Sequence, residues 1–265
     1  MQTKPRQLPQ RDLRRREGRV IAAHHSLLRA GGATSFDYVQ DGLYYQLDGI
    51  ENAGRGVHSA TASSWTDLTG NGRDATFLNA ASGLVWQDDA AYLYGKTHDG
   101  MAKISGLPSM TAFTFEIVCR MDAKEDYARM YDSEAYGTAA KRFASLFGTA
   151  NYPSAMSFAL ADDGDQNYNL VPVSTSARSY AVTPNVSGSS YSARVCMNGA
   201  FVQSGTVKSV SGVSAATYID VANRSNSTNR GFDGAVYAIR VYNRILTDAE
   251  ITANYAIDKA RFNLP

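Results

Sequence analysis

The 265-residue chain is poor in the residues from which active centres are most often built: it has two cysteines and four histidines. Cys119 and Cys196 lie far apart with no CxxC spacing, which excludes a thiolate zinc site and a redox dithiol. Strand alternation groups Cys119 with Phe113, Phe115 and Ile117, and Cys196 with Ser192 and Arg194, so no disulfide is expected and both thiols should be reduced. No stretch approaches the roughly 20 consecutive apolar residues of a spanning helix, so no membrane insertion is expected. The first residues, with Arg14, Arg15, Arg16 and Glu17, contain no apolar signal core, and synthesis as a cytoplasmic product is expected.

Glutamate is scarce as well. Its positions are Glu17, Glu51, Glu116, Glu125, Glu134 and Glu250. A retaining glycosidase built on a strand sets two carboxyl groups about 5 Å apart across the scissile bond, and same-face strand positions alternate. No glutamate pair here has that spacing; Asp132-Ser133-Glu134 comes closest, in a loop-like stretch without a third acid. His24 and His25 fall near the N-terminus, His58 in a Gly- and Ser-rich loop, and His98 before Asp99-Gly100. None adjoins a nucleophile motif, and all four are expected to be solvated. No catalytic residue is assigned.

What the chain does have is an uneven charge. Before Phe36 eight basic residues stand against Asp12 and Glu17, giving +6, and the remainder carries −5. Residues 1–35 therefore read as a basic arm that contacts something the rest does not, with Arg11, Arg14, Arg15, Arg16 and Arg19 as its contact residues. Pro5 and Pro9 favour extended backbone at its start. From Asp12 to Ala30 a narrow stripe of Leu13, Val20, Ile21, Leu27 and Leu28 predicts a short amphipathic helix stopped by Gly31-Gly32. Three partners fit that stripe: the protein's own domain, another subunit of an assembly, or nucleic acid.

Residues 36–265 carry short runs rich in Tyr, Val, Phe, Thr and Ser broken by Gly, Asn and Asp, the texture of many antiparallel strands. Met110 to Met121 alternates, with Phe113, Phe115, Ile117 and Cys119 on one face and Thr114, Glu116, Val118 and Arg120 on a more polar one. Tyr191 to Met197, then Asn198-Gly199, then Ala200-Phe201-Val202 reads as a hairpin on a tight turn. Gly234 to Tyr242 reads as a further strand. Thr247-Asp248-Ala249-Glu250 fits a capping box, predicting a helix that ends near Ala260 and packs through Ile251, Tyr255 and Ile257.

Asp163, Asp165 and Asn167 have the alternate spacing of a carboxylate-rich calcium loop, so calcium is the one cofactor considered. Tyr168 and Ser174 stand where a calcium hand needs Gly and Glu, which leaves an exposed acidic turn or a rim site completed by distant residues. Tyr44, Tyr45, Tyr92 and Tyr94 read as sheet residues rather than a sugar-stacking platform.

The segments Gly42 to Asn52 and Trp65 to Asp74 resemble the opening strands of laminin-G-like, concanavalin A-like lectin/glucanase domains, and Phe232 to Thr247 with Asn254-Tyr255 resembles the family's last strand and following helix. The resemblance implies an all-β, two-sheet antiparallel jelly-roll sandwich, with a basic arm before it and a short helix after it. Within it, Gly70-Asn71-Gly72 should form a tight turn, Trp65 and Leu68 should be core, and Asp67 should hold turn donors. Similar domains bind sugars or proteins through rim loops. Similar openings and endings occur in bacteriophage virion proteins. The expected function is thus a virion structural protein, head- or tail-associated, whose arm binds other virion proteins in an oligomeric assembly while the sandwich projects toward glycans. The alternatives are a bacterial carbohydrate-binding protein without catalysis and, last, a glycan-degrading enzyme.

Overall fold

The computed structural model describes residues 37–78, 84–93, 101–124, 129–132, 145–148, 155–159, 169–172, 174–187, 190–208, 216–222 and 232–265. Sixteen strands are numbered along the chain: β1 (Leu43–Asp48), β2 (Ser64–Trp65), β3 (Ala75–Leu78), β4 (Leu84–Trp86), β5 (Ala91–Leu93), β6 (Met101–Met110), β7 (Thr114–Lys124), β8 (Arg129–Asp132), β9 (Ser145–Gly148), β10 (Ala155–Ala159), β11 (Asn169–Pro172), β12 (Arg178–Ser187), β13 (Ser190–Met197), β14 (Ala200–Lys208), β15 (Ala216–Val221) and β16 (Phe232–Tyr242). One sheet runs β14-β13-β12-β7-β16-β5-β4, with β1 also on β16, and the other runs β11-β10-β9-β8-β15-β6-β3-β2. Every pairing between described strands is antiparallel. This is the expected two-sheet sandwich, and residues 38–265 form a single unit.

Alternation decides which side chains fill the space between the sheets. Phe115, Ile117, Cys119 and Met121 of β7 meet Ile104 of β6, Tyr131 of β8 and Ile219 of β15 in one apolar core, where burial stabilises by roughly 25 cal/mol per Å² of apolar surface. On β16 the alternation breaks once. Val236 and Ile239 face the core while Tyr237 and Ala238 both face the other way, because one extra residue is inserted opposite Cys119 and Val118 of β7. Such a bulge flips the facing of everything after it, and here it turns Arg240 and Tyr242 outward.

The local predictions at both ends hold. Trp65 and Leu68 are buried, Gly70 and Gly72 have positive φ, and the Asp67 carboxylate accepts from the backbone N–H of Gln46 and of Thr69 and from the Thr69 hydroxyl. Asn198 and Gly199 both have positive φ, the geometry of a two-residue hairpin turn. Gly199 meets a second demand, since a Cβ there would lie 2.9 Å from the Tyr255 ring. The helix spans Asp248–Phe262, two residues beyond the predicted end, with both bonds of the Thr247–Glu250 capping box formed.

The helix departs from prediction in the face it buries. Ile251 is buried as expected, but its other buried residues are Asn254, Asp258, Arg261 and Phe262, and Tyr255 and Ile257 are only half-buried. Its packing face is mixed: Ile251 and Phe262 join apolar clusters on the outer side of the first sheet, while Asn254, Asp258 and Arg261 between them meet charged and polar groups.

Candidate functional site

Glu116 leads the search for chemistry, being a glutamate on a central strand. It projects from β7 away from the core, directly across from Arg240 of β16. Arg240 Nε donates to Glu116 Oε2 at 2.7 Å, its Nη1 donates to Asp258 Oδ1 at 2.9 Å, and its Nη2 donates to Asp258 Oδ2. Asn254 Nδ2 donates to Glu116 Oε2 at 3.0 Å and to the Tyr242 hydroxyl at 2.9 Å. The Tyr38 ring lies 4.1 Å from the guanidinium carbon and its hydroxyl donates to Asp258, while Val39 N donates to Asn254 Oδ1. One helical turn further on, Arg261 Nε donates to Asp48 Oδ2 of β1 at 2.6 Å.

This is an ionic layer sealed between sheet and helix. Arg240 is 1% exposed, Glu116 2% and Asp258 0%. Burial alone would lower the Arg240 pKa, but the Asp258 and Glu116 carboxylates hold it well above its usual value, so the guanidinium stays charged. Removing one member of such a set leaves an uncompensated charge out of water, which costs far more than the intact set contributes. The polar face of β7 is therefore not a solvent face, and sequence alternation could not show that.

The same geometry argues against hydrolysis at Glu116. Its same-face strand neighbours are Thr114 and Val118, neither of which is an acid, and Asp258 reaches it only through the shared arginine. A general acid has to come within hydrogen-bond reach of substrate, and Arg240, Asn254 and Tyr38 already enclose this carboxylate.

Asp132 is not in a loop. It ends β8, buried, across from Asp220 of β15, and accepts from Arg129 Nε at 3.1 Å; Ser133 and Glu134 lie outside the described residues. So do His24, His25, His98 and Tyr94, the proposed calcium ligands Asp163, Asp165 and Asn167, and the arm residues Arg11, Arg14, Arg15, Arg16 and Arg19. Among the described residues no group of three His, Cys, Asp or Glu could hold a metal ion. His58 is half-buried rather than solvated, with Nδ1 2.9 Å from the Gly49 carbonyl oxygen, because it closes its own loop. Tyr44 and Tyr45 staple the two sheets, their hydroxyls donating from β1 to the carbonyls of Gly106 and Ser105 on β6. Both cysteines are free and buried, and burial pushes the Cys119 thiol up to about 12, far from a reactive thiolate. An apolar cavity beside Trp65, Phe77 and Val236 has about 10 Å³, room for one water at most.

Against known proteins, the model of the concanavalin A-like lectin/glucanases superfamily, laminin-G type, matches residues 96–252. The chain belongs to that superfamily. The match starts after the opening segments, which the structure nevertheless builds into this sandwich through β1 and β2. No curated protein matches the sequence. Among solved structures, a mutant Trypanosoma rangeli sialidase displaying trans-sialidase activity is 13% identical with a TM-score of 0.62, covering 83% of this chain and 33% of the sialidase. The T. rangeli sialidase in complex with sialic acid gives 14% and 0.60, covering 83% and 33%. Domain 4 of an extracellular arabinanase from Geobacillus stearothermophilus, solved with arabinotriose, gives 16% and 0.56, covering 80% of this chain and 98% of that domain. The superfamily chain thus spans about a third of the sialidases and nearly the whole of the arabinanase domain. At these identities the likeness is one of fold, and the fold serves catalytic and non-catalytic proteins alike.

Proposed function

We propose that the chain is a non-catalytic, lectin-like module of a bacteriophage virion structural protein, held in the particle by its basic arm and presenting the sandwich to host or environmental glycans. The observation that carries the non-catalytic part is the sealing of Glu116, the one glutamate on a described strand, into an ion pair with Arg240. The +6 arm supports anchoring, because its charge suits an acidic partner surface. The partners are other virion proteins in an oligomeric assembly, and the protein's place is the virion, after synthesis in the host cytoplasm. Deleting residues 1–35 should leave the melting temperature of the sandwich nearly unchanged while abolishing incorporation into particles. Normal incorporation of the truncated chain, or its unfolding, would overturn the anchoring role. A carbohydrate-binding role outside any particle is favoured by one observation, the match to almost all of a single arabinanase domain solved with arabinotriose. Glycan binding by a chain that never enters particles would select it.

A further inference from the structure

Beside the N-terminus of the C-terminal helix, on the outer face of the first sheet, Phe201 and Ser204 of β14 are exposed while Thr183 and Cys196 on the neighbouring strands are buried. Cys196 and Phe201 are paired across β13 and β14, and Thr183, Arg194 and Ser204 form the next row on the same face, across β12, β13 and β14. Phe201 is 52% exposed, the most exposed aromatic ring among the described residues. The Arg194 guanidinium carbon stands 5.2 Å from that ring's centre. Its Nη2 alone reaches both Asp248 oxygens, at 2.8 and 3.0 Å, so Nε and Nη1 donate to nothing among the described residues.

We infer that this face, formed by Phe201, Arg194 and Asp248, is a subsite for an uncharged sugar ring. The ring would stack on Phe201, as apolar sugar faces do on aromatic ones, and vicinal hydroxyls would bridge the free Arg194 donors and the Asp248 carboxylate. Charge selects a neutral glycan over an anionic one: Arg194 is already balanced by Asp248, whose exposed carboxylate would repel a uronic or sialic acid. This inference rests on the glycan-binding reading above and locates it on the helix side of the sandwich.

The test uses the full chain with a panel of immobilised neutral oligosaccharides (cello-, xylo-, manno- and arabino-oligosaccharides) and an anionic control, polygalacturonate. The wild type should bind at least one neutral member and not the control. Phe201→Ala should weaken that binding about tenfold with an unchanged melting temperature, because the ring is exposed. Arg194→Ala, which removes the free donors and breaks only an exposed ion pair, should weaken binding several-fold while leaving the melting temperature little changed. If the wild type binds and both variants bind equally well, this face is not the subsite although the glycan reading stands. Preference for polygalacturonate would overturn the neutral-sugar assignment, and failure to bind any member would overturn the glycan reading and the subsite together.

Discussion

Asp258→Ala should be among the most damaging single changes in the domain, although it removes a surface-type residue from an otherwise exposed stretch of helix. In the folded protein Asp258 accepts two Arg240 bonds and the Tyr38 hydroxyl, with the Ser179 hydroxyl at 3.4 Å. The variant keeps Arg240 buried with Glu116 as its sole carboxylate and strips Tyr38 of its acceptor. Breaking a buried ion pair from one side costs about 3–5 kcal/mol, and a domain of this size loses about 2–4 °C of melting temperature per kcal/mol, so a fall on the order of 10 °C is expected. Thermal melts followed by circular dichroism, with urea titration to check that the slope is unchanged, read it directly. The triple variant Glu116→Leu, Arg240→Met, Asp258→Leu should recover most of the loss, because matched apolar groups replace such sets at little cost. An Asp258→Ala variant within 1 kcal/mol of wild type would refute the view that the layer is sealed.

Thr247→Ala should cost about 1 kcal/mol in the same melts, since it removes the hydroxyl that caps Glu250 N. Hydrogen bonds from Arg244 and from Thr247 hold Glu250 down to about 2. A carboxyl whose folded pKa is depressed stabilises above its unfolded value and loses that contribution as pH falls through the folded one. Stability should therefore decline from about pH 4.5 toward pH 2, and Glu250→Gln should flatten part of that slope. If Asp163, Asp165 and Asn167 hold calcium, chelator should lower the melting temperature and Asp163→Ala should abolish the effect; a chelator-insensitive melt would leave them an acidic turn.

Much of this fold is legible in the sequence because the signals are local. The Asn198-Gly199 turn, the Thr247 cap and the faces of β7 each depend on a few adjacent residues, and each stands in the structure as read. The ionic layer is not legible because alternation places Glu116 only on a more polar face, and the apolar periodicity of the helix does not mark the side that packs. A usable signal existed: Asn254, Asp258 and Arg261 lie on one stripe of the helix, while Asp48 and Arg240 sit on the segments that resemble the family's opening and last strands and Glu116 sits on the alternating strand between them. Matching charges on two faces predicts that the faces meet. The bulge at Tyr237 left no such trace, and without it the facing of Arg240 could not be read from β16 alone.

The central claim, a sandwich that holds glycan without cutting it, is tested most directly by incubating the full chain with a mixed oligosaccharide library and measuring bound and free glycans by mass spectrometry. The account predicts retained glycans of unaltered length. Shortened products that disappear in Glu116→Gln or Glu134→Gln would contradict it.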